Sequence, residues 1–229
     1  MSLTKRKIEE CLSELGNELV LRGQRIDIFI VGGTALALVH SFRDRAGDID
    51  YAIRREYRDA FADLLSGYAI FDNHSAYLEQ MTGDADHEVH FFHYRLFGNE
   101  GTQTGLNVWL AKDELQLASI LLRLNSPHNT AKIDRDTNDA FHLCGELGIT
   151  SAEDLKNLWG PYKNKFRADP DAPIDSEVFD YNLTDDYLEG CWQSIETLAT
   201  RKEKSLKPET PKKGLPAHRR PHKKTLQGG

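Results

Sequence analysis

Apolar residues recur along this chain with two periods. Residues 3–22 carry Ile8, Cys11, Leu12, Leu15 and Leu19 at helical spacing with charges between them, which predicts an amphipathic helix packed on the segments after it. Ile26 to Val31 reads as a buried strand, Thr34 to Phe42 as a short helix, and Asp48 to Ile53 as a second strand. Glu56 to Leu65 is helical in pattern, with Tyr57, Ala60, Phe61, Leu64 and Leu65 on one side, and Ala69 to Phe71 reads as a short strand. Glu88 to Leu96 (EVHFFHYRL) and Leu106 to Ala111 read as strands on either side of a turn at Asn99 to Gly105. From there the pattern is helical: Asp113 to Leu124, Asp136 to Leu147, a helix capped by Ser151 with Asp154 as its partner acid, and Thr184 to Thr200 after a break at Asp169 to Pro173.

This order predicts an α/β (α+β) fold, a mixed sheet with flanking helices followed by a helical part. The expected division is an α/β core over 1–111, a helical C-terminal region over 112–200 and a disordered basic tail over 201–229. The chain has 229 residues and a net charge of −7. Residues 201–229 hold ten Lys/Arg against two Asp/Glu, a surplus of +8, so residues 1–200 carry −15. The tail is rich in Pro, Lys and Arg and poor in apolar residues, which leaves it too little surface to bury for a fold of its own. It is open to three readings: a solubilising tail, an arm that touches nucleic acid, or a segment that folds back on the acidic body. No apolar run approaches a membrane span, and the charged start MSLTKRKIEE has no signal-peptide character. Three widely spaced cysteines, Cys11, Cys144 and Cys191, form neither a zinc pattern nor a disulfide framework. Free thiols in the cytoplasm are the expectation.

The chemistry concentrates in residues 28–53. The apolar run breaks at Gly32-Gly33-Thr34, where a helix N-terminus would present backbone N–H groups to phosphates. Fifteen residues after Gly33 comes the first of two carboxylates, Asp48 and Asp50. On one strand they point the same way, and two such carboxylates repel unless a cation sits between them. A hard divalent ion, Mg²⁺ or Mn²⁺, bringing substrate phosphates with it, is the usual occupant. The histidines at 87, 90 and 93 invite a zinc reading, but on a regular strand His90 points away from the other two.

Val31-Gly32-Gly33-Thr34-Ala35-Leu36 followed by Gly47-Asp48-Ile49-Asp50 resembles the nucleotidyltransferase fold, and within it the AbiEii-type group of toxin–antitoxin and phage-defence proteins. The resemblance covers roughly residues 25–147. It includes Asp113-Glu114-Leu115 at the start of a downstream helix and Arg135-Asp136 with Asp139 as a later acidic element. It implies that Asp48 and Asp50 hold the metal, that Gly32, Gly33 and Thr34 contact the phosphates of a nucleoside triphosphate (NTP), and that Arg43 or Arg45 steadies the triphosphate. An acceptor hydroxyl would attack the α-phosphate and pyrophosphate would leave. The chain departs from the group in two places. The slot of a third carboxylate holds His90 in Val89-His90-Phe91, with Glu88 two residues earlier and Asn107 as a second occupant. Ser119 stands where the group often has a lysine. Histidine can serve as a general base but brings no negative charge for a second ion.

These features support a metal-dependent nucleotidyltransferase that moves a nucleoside monophosphate from an NTP to an RNA end or a protein hydroxyl. The resemblance implies a toxin-like or defence role with an antitoxin partner. The alternative is a binding protein on the same fold that holds nucleotide or RNA without turnover, as a regulator or partner subunit. A third reading is a structural accessory protein that makes its contacts through the tail.

Overall fold

The computed structural model describes residues 2–57, 61, 64–65, 73–74, 78, 81–83, 87–96, 104–125, 132–163, 165–166 and 183–206. A five-stranded sheet is built from β2 (Ile26–Val31), β4 (Asp50–Ala52), β5 (Asn73–His74), β6 (Phe91–Tyr94) and β7 (Leu106–Ala111), in the order β5-β4-β2-β7-β6. β2 runs parallel to β7 and antiparallel to β4, and β6 runs antiparallel to β7. A small antiparallel pair joins β1 (Leu3–Thr4) to β3 (Arg45–Ala46).

Alternation along the strands feeds two cores. Ile26, Ile28 and Ile30 of β2, with Tyr51, Leu106, Val108 and Leu110, pack against the apolar face of α1 (Lys5–Leu21) and against Ala35, Ala37 and Leu38 of α2 (Gly32–Val39). Phe29 and Val31 point the other way. With Ala52, Phe91 and Ala111 they meet the helices α4 (Asp113–Leu124), α5 (Ile133–Leu147), α6 (Ala152–Trp159) and α7 (Asp185–Leu206). The sheet is thus covered on both faces, the arrangement that a strand apolar on both sides demands. Helix starts follow sequence chemistry: Ser151 Oγ accepts from Asp154 N over 3.2 Å, while Asp154 Oδ2 accepts from Thr150 N over 2.9 Å. Thr184 Oγ1 accepts from Tyr187 N at the start of α7.

The mixed α/β core and helical C-terminal part agree with the expectation from sequence, and the differences lie in element bounds. The segment expected as one strand from Glu88 begins as a single helical turn, α3 (His87–His90), and extends only from Phe91. His87 N–H donates to the Gly83 carbonyl over 3.1 Å at the start of this turn, and the His90 carbonyl accepts from Lys112 N over 2.9 Å as the next rung of the β6–β7 ladder. The second strand starts at Asp50, not Asp48, because Thr34 Oγ1 donates to the Asp48 carbonyl and the chain bends there. α2 begins at Gly32 and ends at Val39. α7 runs on to Leu206, past the expected end at 200. The short strand expected at 69–71, the break at 169–173 and tail residues 207–229 lie outside the described residues. Cys11, Cys144 and Cys191 are buried free thiols. Among the described residues no helix is long and apolar enough to cross a membrane.

Candidate phosphate and metal site

The site forms at the C-terminal end of β2, where Val31 pairs with Asp50 of β4. Gly32 takes φ +62, a left-handed conformation that costs an ordinary L-residue roughly 1–2 kcal/mol. Steric demand adds to that. A Cβ on Gly32 would lie 2.5 Å from Asp50 Oδ2, and one on Gly33 would lie 2.8 Å from Arg43 Nη2. The two glycines therefore let a carboxylate and a guanidinium rest directly on the backbone at the start of α2. Thr34 is buried, and its hydroxyl secures the Asp48 carbonyl, fixing the acidic segment against the helix start.

Arg43 is oriented from three sides. Its Nε donates to the Arg45 carbonyl over 2.9 Å, its Nη1 pairs with Asp139 Oδ2 of α5, and Nη2 covers Gly33. Asp139 is buried, and its carboxyl is held above the usual carboxylate range because burial outweighs the attraction of Arg43. Arg45 is mostly exposed on β3, 3.7 Å from Asp44. Of the two arginines that the sequence offers, Arg43 therefore meets the glycine pair.

The helices behind the turn supply further groups, of which Gln116 and Arg123 were not assigned from the sequence. Gln116 Oε1 of α4 accepts from Gly32 N over 2.9 Å. Gln116 Nε2, Ser119 Oγ and Asp139 Oδ1 are buried with no hydrogen-bond partner among the described residues. Arg123 Nε lies 3.3 Å from Asp136 Oδ2. Asp136 and Asp139, for which a solvated face and a site role are equally compatible with the sequence, are 3% and 2% exposed. They belong to the interior of the α4–α5 interface. One signal was available: α4 is apolar around most of its circumference, so polar residues at 116 and 119, one turn apart, must enter the interior.

His90 is buried at the end of α3, its ring 5.5 Å from that of Tyr162 and its Nε2 2.7 Å from Lys165 Nζ. Asn107, the other occupant considered for a third acid, donates to Asp27 Oδ1 over 2.8 Å. Glu88 is exposed. Among the described residues no group of three His, Cys, Asp or Glu converges as a metal site.

No protein-family model matches the chain. No curated protein matches it either. Among solved structures, it is similar to the crystal structure of an antigenic nucleotidyltransferase-like protein from Paracoccidioides brasiliensis. The identity is 16%, the match covers 63% of this chain and 78% of that one, and the TM-score is 0.38.

Proposed function

We propose that this protein binds an NTP with Mg²⁺ or Mn²⁺ at the Gly32-Gly33-Thr34 turn and transfers a nucleoside monophosphate to a hydroxyl on an RNA end or a protein. The observation that carries this reading is the meeting of three separate sequence pieces at one backbone turn: Asp50 on Gly32, Arg43 on Gly33, and Asp48 tied to Thr34. The donor set fits a hard divalent ion. Asp48 and Asp50 offer carboxylate oxygens one residue apart, and among the described residues no cation pairs with Asp48. Asp48 and Asp50 would hold the ion, which would neutralise charge on the triphosphate.

The chain's own groups account for the rest. Gly32 N–H is used by Gln116, so phosphate oxygens would be met by the next N–H groups of the first turn, those of Gly33 and Thr34. Arg43, fixed by Asp139, would oppose charge that accumulates as pyrophosphate leaves. In the transfer, the acceptor oxygen bonds to the α-phosphorus, the bond from that phosphorus to the bridging oxygen breaks, and the hydroxyl proton passes to a base. Asp48 is the first candidate for that base. His90 is the second, and would act only after releasing Lys165, because Lys165 uses its Nε2 lone pair. A toxin or phage-defence role in the cytoplasm with an antitoxin partner, suggested by the sequence resemblance, belongs to the same proposal.

A second reading is binding without turnover, and one observation favours it: neither His90 nor Asn107 brings a third carboxylate, and both are engaged elsewhere. A label-transfer assay separates the two. The protein is incubated with Mg²⁺ or Mn²⁺, each α-labelled NTP in turn, and total RNA plus protein extract, beside Asp48→Ala/Asp50→Ala. Label that moves to RNA or protein and vanishes in the variant supports transfer. Absence of transfer with retained, Asp48- and Asp50-dependent NTP binding supports the binder.

A further inference from the structure

Two lysine ammonium groups at one end of the sheet rest on neutral acceptors. Lys165 Nζ lies 2.7 Å from His90 Nε2, and Lys112 Nζ donates to the Glu88 carbonyl over 2.8 Å. A lysine ammonium only donates, so His90 Nε2 is the acceptor and carries no proton there. Among the described residues no carboxylate forms an ion pair with either lysine; Glu114, exposed on the first turn of α4 and close enough to act on Tyr162, pairs with neither. Each ammonium is therefore held in place without being neutralised, with further N–H donors left over.

The register locates them relative to the phosphate turn. His90 directly precedes Phe91, which pairs with Ala111, and Lys112 directly follows Ala111. Leu110 pairs with Ile30, and Val31 pairs with Asp50. The backbone at 90 and 112 thus stands at the same end of the sheet as Gly32 and Asp50. Counted in strand spacings, the backbone at 90 before β6 is three from Asp50 on β4, about 14 Å, whereas the backbone at 112 after β7 is one from Gly32 on β2, about 5 Å, with the Lys112 ammonium directed to the β6 side by the Glu88 carbonyl. A second anionic group of the substrate, separate from the phosphates at Gly33, would reach this place. Residues 1–200 carry −15 overall, so nucleic acid would be repelled from most of the surface and drawn to local cations.

We propose that Lys112 and Lys165, the latter held by His90, form a phosphate-binding subsite that receives the acceptor strand, and that the acceptor is a single-stranded RNA end. This deepens the transferase reading and rests on it for the word acceptor. His90 is then a positioning residue, holding the Lys165 ammonium at the sheet rim.

The test uses the full-length protein and two titrations. A fluorophore-labelled single-stranded RNA oligonucleotide is followed by anisotropy over a series of salt concentrations, and Mg²⁺-NTP binding is followed by calorimetry. Lys112→Gln/Lys165→Gln is compared with wild type, and Lys165→Arg serves as the charge-preserving control. The double variant is expected to weaken RNA binding and to lower the slope of log K against log salt by about 1.4, about 0.7 for each lost single-strand phosphate contact. NTP binding should stay unchanged, which also reports that the variant is folded, and Lys165→Arg should keep most of the affinity. RNA binding with the same slope in the double variant, as a tail-held strand would give, overturns the proposal. So does wild-type protein that binds NTP but no RNA, which leaves a protein hydroxyl as acceptor and the transferase reading standing. RNA binding lost in the double variant, from a protein that never binds NTP, keeps the phosphate subsite and removes the transferase reading.

Discussion

The pairing of Arg43 with Asp139 makes the sharpest stability prediction. The two side chains are 11% and 4% exposed, so replacing Asp139 with Ala would leave a guanidinium desolvated and without its carboxylate. Breaking a buried pair in this way costs about 3–5 kcal/mol. Asp139→Asn keeps an oxygen that can accept from Arg43 and removes a charge that burial already disfavours, so its cost at neutral pH should be smaller, about 1–2 kcal/mol. The pH dependence has a definite sign. The folded-state carboxyl titrates above its ordinary 3.8, so the folded protein holds this proton more tightly than the unfolded chain. Stability from the group is full below 3.8 and is lost as pH rises through the folded value. The stability gap between wild type and Asp139→Asn should therefore be widest near the bottom of that window and narrow toward neutral pH. Urea unfolding of wild type, Asp139→Asn and Asp139→Ala across pH, at constant m-value, reads all three quantities. Asp139→Ala within about 1 kcal/mol of wild type, or a gap that widens with pH, would refute the reasoning.

Other expectations come from neighbouring contacts. Gly32→Ala should cost about 1–2 kcal/mol from the left-handed backbone alone and should displace Asp50, abolishing metal-dependent NTP binding in calorimetry; Gly33→Ala presses on the Arg43 guanidinium that Asp139 and Arg45 hold and should weaken NTP binding while costing less stability than Asp139→Ala. Gln116→Leu removes the acceptor for the buried Gly32 N–H and should destabilise by about 1–3 kcal/mol, whereas Ser119→Ala removes a buried hydroxyl with no partner among the described residues and should be neutral or stabilising in the same urea series. His142 is held below its ordinary 6.5, first by burial and then by Lys202, whose Nζ lies 3.0 Å from its Nε2. Its contribution is present above 6.5 and is lost as pH falls through the folded value, so His142→Gln should flatten the acid side of a plot of melting temperature against pH.

Legibility in the sequence tracked how local the determinants were. α1, β2 and α4 follow from their own apolar spacing, and the start of α6 follows from Ser151 and Asp154 within one turn. The glycine pair and the acidic pair could be read because the backbone turn and the carboxylates are themselves the signal. Three features escaped, two of them because distant partners decide them. Asp48 leaves the strand since its carbonyl goes to Thr34, 14 residues earlier. EVHFFHYRL has an aromatic, partly alternating pattern that favours a strand throughout, yet residues 87–90 form a helical turn entered by His87 N–H donating to the Gly83 carbonyl, and only from the His90–Lys112 rung does the segment join β7. Asp136 and Asp139 look like a solvated helical face until Arg43 and Arg123 arrive from other elements. The placement of Arg43 rather than Arg45 over Gly33 needs the same long-range partner, Asp139.

The central claim is that Asp48 and Asp50, set against the Gly32-Gly33-Thr34 turn, bind a divalent ion together with an NTP. Isothermal titration of each NTP into the full-length protein, with Mg²⁺ and with chelator, beside Asp48→Asn/Asp50→Asn, tests it most directly. The account predicts binding of at least one NTP that needs the metal and is lost in the variant while the variant's urea midpoint stays close to wild type. NTP binding that is indifferent to both metal and carboxylates, or no NTP binding by a folded protein, would contradict it.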